Sequence, residues 1–228
     1  MKKISLPLLL IVLGLPSLGL AAPPPSPEQA LMHVQKDSGD GKLFSHGSGV
    51  YLGGGLVLTA AHVITVNPGH PEVKLMGQEH MIMDAKVVLD GSRIEPDLDL
   101  ALIKIDAAAL PPARRDQEAV TVCASNAGLN QPVLVAAQEK VSPATTFPQP
   151  MERRNEKVVE TNGWTNLLTT GFHHGASGGG VFDPARGCLA GIVFLELSSA
   201  DQKIDLTAFI PASRITPFLN QYLWQMGQ

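Results

Sequence analysis

The chain has 228 residues, of which 17 are Lys or Arg and 21 are Asp or Glu, so its formal net charge at pH 7 is −4. This slight excess of acid gives no positive field that would draw the chain to nucleic acid or to an anionic membrane surface, and neither partner is expected. The length suits one domain or two small fused halves.

The first 21 residues have the pattern of a secretory signal peptide. Lys2 and Lys3 precede an apolar run from Leu8 to Leu20, and small residues lie just before a cut after Ala21. A membrane-spanning helix needs about 20 apolar residues, whereas this run is shorter and contains Pro16. We therefore expect cleavage, export, and no stable membrane insertion afterwards.

Four prolines stand among residues 23–27, a composition that disfavours both a helix and a central strand. The segment 22–40 is therefore expected to be an extended, flexible arm. The folded domain would then span residues 41–228.

The chain has two cysteines, Cys123 and Cys188. Export would place them in an oxidising compartment, where an even number of cysteines favours a disulfide. The sequence does not give their separation in space, so two buried thiols are the alternative.

Between Leu43 and Ile210 the apolar segments are short, rich in Val, Leu and Ile, and separated by clusters of Gly, Pro, Asn and Asp, which is the pattern of strands. No long helical stripe lies between them, so a parallel sheet with crossover helices is disfavoured and an all-β fold of antiparallel barrels or a sandwich is predicted. The candidate strands are Ser48–Leu52, Leu56–Thr59, Glu72–Met76, Ala85–Leu89, Leu100–Ile105, Val133–Ala137, Lys157–Glu160, Gly180–Phe182, Leu189–Phe194 and Leu206–Ile210.

Two segments depart from this strand pattern. Near the C-terminus, apolar residues recur at helical spacing after Thr216, a possible cap, and Pro217, a possible first helical residue, so a helix over about 213–226 is predicted. The proline-containing segment Gln138–Asn155 has no periodicity and is predicted to be a long surface loop, a kind of segment that is often functional.

One serine, Ser177, lies in the glycine-rich stretch Gly175–Gly180, where a backbone free of large side chains can present its amides to a reacting oxygen. A serine is a weak nucleophile by itself, so it needs a base and a group that orients the base. His62 follows an apolar strand and two alanines, and Asp99 immediately precedes another apolar strand. A base and an orienting acid are therefore available, while Asp97 is better explained as a solvated turn residue.

Chain order excludes other assignments of this serine. Residues 175–179 also fit the G-x-S-x-G pattern of esterases, but those enzymes need a histidine after the serine, and none follows His174. The subtilisin order of Asp, His and Ser is discounted because the middle of the chain is poor in helices. The histidines lack the spacing of zinc peptidases, and no metal or organic cofactor is expected.

Three segments together resemble the trypsin-like serine proteases of the chymotrypsin fold, and especially the exported bacterial branch related to the HtrA proteases. They are Gly47–Val50 with Thr59–His62, then Asp99–Leu102, then Gly175–Gly179. The resemblance implies two six-stranded antiparallel β-barrels, over about 41–125 and 126–212, and a C-terminal helix, without a PDZ module. It further implies a catalytic triad in the cleft between the barrels, and an oxyanion hole formed by two backbone N–H groups. The triad would be His62, Asp99 and Ser177, and the N–H groups would be those of Gly175 and Ser177.

The family pattern also bears on activation and specificity. Digestive members have an aspartate before the nucleophile that pairs with a new N-terminus after zymogen cleavage, whereas this chain has Ala176, so no such switch is expected. The position of the pocket floor is Gly171, which gives no acidic partner for Lys or Arg substrates. The other candidates for the substrate pocket are His174, Val193 and Glu196.

The resemblance implies a bacterial serine endopeptidase, periplasmic or secreted, that acts on protein or peptide substrates, and we expect a monomer. The alternative is a catalytically silent binding protein of the same fold. The intact set of His62, Asp99, Ser177 and Gly175 argues against it.

Overall fold

A computed structural model of the chain describes residues 24–37, 43–65, 69–75, 81–146, 166–198 and 205–227. The described residues form two six-stranded antiparallel sheets with short helical turns and one C-terminal helix. The all-β class and the chymotrypsin-like architecture predicted from the sequence are confirmed.

The first sheet closes into a barrel in the strand order β1-β2-β3-β6-β5-β4. Its closing strand is β1, in which Val34 is in register with Gly47 of β2 on one side and with Val73 of β4 on the other. The interior is filled by buried apolar side chains such as Tyr51, Val57 and Ile103. The six strands are β1 (Leu31–Asp37), β2 (Leu43–Gly53), β3 (Leu56–Thr59), β4 (His70–Leu75), β5 (Ile82–Asp90) and β6 (Ala101–Ile105).

The second sheet is a curled half-barrel in the strand order β8-β7-β10-β11-β12-β9. Its edges approach each other at one isolated bridge, between Thr146 just after β8 and Leu168 in β9. It therefore meets the expected strand count with a less complete closure than the first sheet. The strands are β7 (Pro132–Ala137), β8 (Lys140–Thr145), β9 (Leu167–Leu168), β10 (Gly180–Asp183), β11 (Cys188–Ser198) and β12 (Asp205–Pro211).

A single apolar cluster joins the two sheets and the C-terminal helix α4 (Ala212–Met226). It includes Leu58 and Leu102 from the first barrel, Ile192 and Ile210 from the second sheet, and Phe218 from α4. Because these side chains are buried, the two sheets are held in a fixed relation. The ends of β3, β6 and β10 can then be brought together across the junction.

The N-terminal segment differs from the flexible arm expected over 22–40. Residues 27–30 form a short helix, α1 (Pro27–Ala30), whose Ser26 cap accepts a hydrogen bond from the Gln29 N–H, and strand β1 follows at once. The prolines stop at the first helical position, where a missing N–H costs nothing, so they begin an ordered segment instead of preventing one.

Two further features differ from the predictions. Helix α4 begins at Ala212, a turn before Thr216, and contains Pro217 in its interior. The long loop predicted over 138–155 contains a strand, β8, that forms a hairpin with β7. The candidate signal peptide 1–21 and the candidate strand Lys157–Glu160 lie outside the described residues.

The disulfide between Cys123 and Cys188 is formed, as predicted, with the two Cα atoms 5.1 Å apart. It lies where Cys123 N–H bonds to the carbonyl of Leu189, so it fastens the connection between the sheets to the start of β11.

Two other short helices are α2 (Ala61–Thr65) and α3 (Pro112–Arg115). In the part of the chain that is described, no helix has the length and apolar character needed to cross a membrane.

Candidate active site

His62 is the second residue of the one-turn helix α2, which begins two residues after β3 ends. A helix this short has little stability of its own, so its orphan carbonyls need partners. The Ser45 hydroxyl donates to the Val63 carbonyl at 2.5 Å, and the Lys36 Nζ donates to the Ile64 carbonyl at 2.7 Å. Strands β1 and β2 therefore hold the turn that carries His62.

Lys36 is a further structural residue that sequence reasoning missed. Its side chain is almost wholly buried beneath α2, and burial lowers the pKa of its ammonium group from the ordinary value. A lysine at the end of a predicted flexible arm gave no signal of this role, because the contact depends on the closure of the barrel.

Asp99 contacts His62 through both of its carboxylate oxygens. Oδ1 accepts the His62 backbone N–H at 2.7 Å, and Oδ2 lies 2.6 Å from the ring Nδ1. The Asp99 carbonyl also accepts the Ala61 N–H at 3.2 Å. Since a carboxylate can only accept, Nδ1 carries the proton of the neutral ring, and Nε2 is the nitrogen with the free lone pair.

Solvent access to this pair is asymmetric. The His62 side chain is 41 % exposed, whereas the Asp99 side chain is 19 % exposed. Asp97 is exposed and takes no part in the contact. The arrangement suits a histidine that exchanges protons on its open side while a more protected carboxylate holds its other side.

Ser177 lies in the turn before β10, and backbone hydrogen bonds fix this turn to both sheets. The Ser177 carbonyl accepts the Ser48 N–H at 2.7 Å, and the Gly178 N–H donates to the Val193 carbonyl at 2.7 Å. A Cβ placed on Gly47 would be 2.7 Å from both the Ser177 carbonyl oxygen and the Val63 side chain. Ser177 is therefore brought beside the residue that follows His62.

The turn depends on a glycine after the serine. Gly178 has φ +86°, and a Cβ there would lie 2.0 Å from the Ser48 carbonyl oxygen and 2.2 Å from Thr59 Oγ1. Gly175 also has a positive φ, +92°. Only glycine permits so close an approach of the turn to the first barrel.

Two N–H groups of this turn donate to no acceptor in the described part of the chain. Among the described residues, neither the Gly175 nor the Ser177 backbone N–H is a donor, although the neighbouring Ala176 N–H donates to the His173 carbonyl at 3.1 Å. Two free amides two residues apart can together bind an oxygen that carries negative charge. The hydrogen bonds of the described residues do not include one between the Ser177 hydroxyl and the His62 ring, a contact that often tightens only when substrate is bound.

The residues predicted for the substrate pocket occupy different environments. Gly171 is half-buried, His174 is exposed, and Val193 is buried opposite Phe209 in β12. Glu196 is in register with Thr207, and its side chain lies outside the description.

Thr207 was missed because it lies inside an apolar strand. It is fully buried, and its hydroxyl accepts the Phe172 N–H at 2.8 Å, which ties the segment before the serine turn to β12. A single polar residue within the apolar run of β12 was the available signal.

Ala176, the residue before Ser177, is buried among apolar side chains of the second sheet.

Comparison with known proteins supports this arrangement at the level of family and fold. The family profile of the trypsin-like peptidase domain matches residues 47–192, which is more than half of the chain. No curated protein sequence matches the chain.

Solved structures of two bacterial proteases share the fold. The serine endoprotease of Yersinia pestis superposes with a TM-score of 0.62 at 21% identity, over 87% of this chain and 67% of that one. The inactive form of the Rv3671c protease of M. tuberculosis gives a TM-score of 0.60 at 16% identity, over 86% of this chain and 89% of that one. Its active form gives 0.58 at 16% identity, over 85% and 80% of the two chains.

The matched region contains the His62–Asp99 pair and the serine turn, and it spans most of both sheets. The sequence pattern and the fold thus lead to the same assignment by separate routes. The chain belongs to the trypsin-like peptidase family.

Proposed function

We propose that the chain is a serine endopeptidase that cleaves protein or peptide substrates through His62, Asp99 and Ser177. The observation that carries the proposal is the two-point contact between Asp99 and His62, made beside a glycine turn that carries Ser177. A histidine oriented in this way next to a serine is the arrangement needed to activate a hydroxyl nucleophile.

In the proposed mechanism, the Ser177 Oγ attacks the peptide carbonyl while His62 Nε2 takes the hydroxyl proton. The resulting imidazolium is stabilised by Asp99 and then gives its proton to the leaving amine. Water, activated by the same histidine, releases the acyl group from Ser177. The histidine and the serine are therefore restored at the end of each cycle.

The oxyanion of each tetrahedral intermediate would be bound by the N–H groups of Gly175 and Ser177. Both are without an acceptor among the described residues, so both are available to the oxyanion without breaking a hydrogen bond between those residues. Loss of one such donor commonly lowers the rate by a factor of about 10² to 10³.

Activity without a zymogen-type cut is part of the proposal. Ala176 stands where an activating aspartate would be, and it is buried against apolar neighbours that offer no partner to a new N-terminus. We expect a protein that begins at residue 22 and one that carries a tag ahead of residue 22 to cleave a peptide substrate at the same rate. A tagged protein that stays inert until trimmed at a defined residue would contradict this part.

The class of enzyme is tested by reaction with a fluorophosphonate, which labels an activated serine. The wild-type protein should be labelled at Ser177, and Ser177→Ala should not be, while Ser125→Ala, a change at an exposed serine outside the site, should be labelled like the wild type. Folded wild-type protein that takes up no label would favour the alternative function, a silent binding protein of the same fold.

Specificity and location complete the proposal. Gly171 at the proposed pocket floor provides no charge, so a small or medium apolar side chain before the cleaved bond is expected. Cleavage of a mixed peptide library measures this preference.

The Cys123–Cys188 disulfide supports export, because such bonds persist in oxidising compartments. Cell fractionation and size-exclusion chromatography test export and the monomeric state.

A further inference from the structure

The hairpin turn between β7 and β8 has an unusual backbone for its residues. Gln138 and Glu139 are the two residues of the turn, with φ +51° and φ +72°. Tight hairpins of this type favour Asn and Gly, which adopt positive φ with little strain. Strained residues of other types often have a functional reason, and the side chain of Gln138 offers one.

The Gln138 side chain crosses to the segment that precedes the serine turn. Its Nε2 donates to the His173 carbonyl at 2.9 Å and to the His174 carbonyl at 2.5 Å. The amide oxygen of Gln138 can only accept, whereas its NH₂ group can donate to two carbonyl oxygens, so these partners fix the orientation of the amide. Both hydrogens of Nε2 are therefore used to hold two successive peptide groups.

The next carbonyl along the chain, that of Gly175, is bound by Ser48, which also contacts Gln138. The Ser48 hydroxyl donates to the Gly175 carbonyl at 2.8 Å and accepts the Gln138 backbone N–H at 3.0 Å. The carbonyls of His173, His174 and Gly175 are thus each bound by Gln138 or its partner Ser48, and the His173 carbonyl also accepts the Ala176 N–H. The ring of His46 also lies close, 3.2 Å from where a Cβ on Gly175 would lie.

The geometry points to Gln138 as a positioning residue for the oxyanion hole, an inference that rests on the proposed function. The His174 carbonyl and the Gly175 N–H belong to one planar trans peptide, so they point in opposite directions. By holding the carbonyl, Gln138 directs the N–H away from itself. That N–H is one of the two amides assigned to the oxyanion.

This peptide group needs to be held because its neighbourhood permits rotation. Gly175 has the conformational freedom of glycine, and the side chains of His173 and His174 are exposed. Without the Gln138 amide, the His174–Gly175 peptide can rotate and turn its carbonyl toward the developing negative charge. The fraction of molecules with a complete oxyanion hole would then fall.

Replacement of Gln138 by glycine tests the role without damaging the turn. Gln138→Gly removes the amide but relieves the strain of a positive φ, and Glu139→Gly makes the same backbone change at the adjacent exposed residue. We expect Gln138→Gly to lower kcat by about 10- to 100-fold with KM changed less than about 2-fold, because the loss approaches that of one oxyanion donor. Glu139→Gly should stay within about 2-fold of wild type in both constants. The thermal midpoints of both variants should equal or exceed that of the wild type.

A second variant and a second readout separate positioning from folding. Gln138→Glu has nearly the same shape but presents only acceptors at neutral pH, so its kcat should fall at least as far as that of Gln138→Gly. A peptide aldehyde, whose bound form carries an oxyanion-like oxygen, should bind both Gln138 variants more weakly by the factor lost in kcat. Binding of a product peptide to the same variants in a Ser177→Ala background should not change.

Several results would overturn the inference. One is a Gln138→Gly or Gln138→Glu protein with wild-type kcat, and another is a loss confined to KM or shared equally by Glu139→Gly. If the wild type itself fails to react with a fluorophosphonate, it is the proposed function that fails, and the two failures are thereby distinguished.

Discussion

The carboxylate of Asp99 binds one residue, His62, at two points: Oδ1 accepts the backbone N–H and Oδ2 contacts the ring Nδ1. The first contact fixes the position of the short helix α2, and the second fixes the rotation and tautomer of the ring. Because different oxygens make the two contacts, a single substitution can separate them.

Asp99→Asn should keep the first contact and reverse the second. The asparagine Oδ1 can still accept the backbone N–H, but its NH₂ group would face Nδ1 and favour the tautomer that carries the proton on Nε2. We expect kcat to fall by about 10⁴-fold with little change in the thermal midpoint. Asp97→Asn, a change at an exposed residue two positions earlier, is the control and should have wild-type kinetics. Comparable losses in both variants would contradict the assignment.

Gly178→Ala should disrupt the serine turn. Its Cβ would meet the Ser48 carbonyl oxygen at 2.0 Å, and φ is already in the left-handed region at +86°. Backbone must move, so we expect a loss of more than about 4 kcal/mol in the free energy of unfolding and no fluorophosphonate labelling. Urea denaturation measures the first effect.

A matched control exists in the β2–β3 turn. Gly54 also has a positive φ, +59°, but a Cβ there meets nothing within 4 Å. Gly54→Ala should therefore lower the free energy of unfolding by only about 1 kcal/mol, the cost of a positive φ for alanine. Fluorophosphonate labelling should stay intact. Equal effects at the two glycines would mean that the close approach to Ser48 is unimportant.

Removal of the disulfide should destabilise the fold without affecting the chemistry. The bridge closes a loop with a sequence separation of 65 residues, for which loss of the constraint on the unfolded chain corresponds to about 4 kcal/mol. We expect the double change Cys123→Ser with Cys188→Ser to lower the free energy of unfolding by about this amount, seen as a lower urea midpoint, and to retain kcat at low temperature. Wild-type protein under reducing conditions should show the same shift, and an unchanged midpoint would contradict the prediction.

The pKa of His33 predicts how stability changes with pH. Burial lowers this pKa, and the positive charges of His46 and Lys74 lower it further, while Glu139 acts in the opposite direction. The unfolded chain therefore binds the proton more tightly than the fold does. The contribution of neutral His33 to the free energy of unfolding is therefore fully present above 6.5, the ordinary pKa of histidine. It is lost as the pH falls below that value.

His33→Gln should remove this part of the acid sensitivity. The difference in urea midpoint between about pH 7.5 and pH 5.5 should be smaller in His33→Gln than in the wild type. Lys74→Met should also make this difference in urea midpoint smaller. Lys74 lies opposite His33 in the β1–β4 pair, and its positive charge lowers the pKa of His33. An equal or larger pH dependence in His33→Gln would contradict the prediction.

Local pattern and chain order were enough to predict much of the fold and the His62–Asp99 contact. Strand β3 begins and ends at the predicted residues, and the C-terminal helix covers the predicted range. Strand β1 was missed because its burial does not alternate: Leu31 and Met32 are both buried, as are Gln35 and Lys36. Leu31 belongs to the cluster that joins the two sheets, so the strand has few solvent-exposed side chains to mark its period.

Other features depend on contacts that the sequence does not encode locally. Strand β8 was predicted as loop because it contains Pro143, which is tolerated there since β8 is an edge strand of its sheet. Gln138 lies 90 residues from Ser48 in sequence, and only the approach of the two sheets joins them. Residues that act through such distant partners carry no local motif.

Strand β1 has a consequence for control of the site. It pairs with β2 on one side and β4 on the other, so its removal would leave two rows of backbone groups unpaired. Proteases that are switched on by a cut need a released chain end that can travel to an internal partner. Here β1, the first strand of the fold, is held between two neighbouring strands in the barrel wall. Under the proposed absence of a zymogen-type switch, signals that change activity would arrive through surface loops, and the hairpin turn at Gln138 is one such loop beside the proposed oxyanion site.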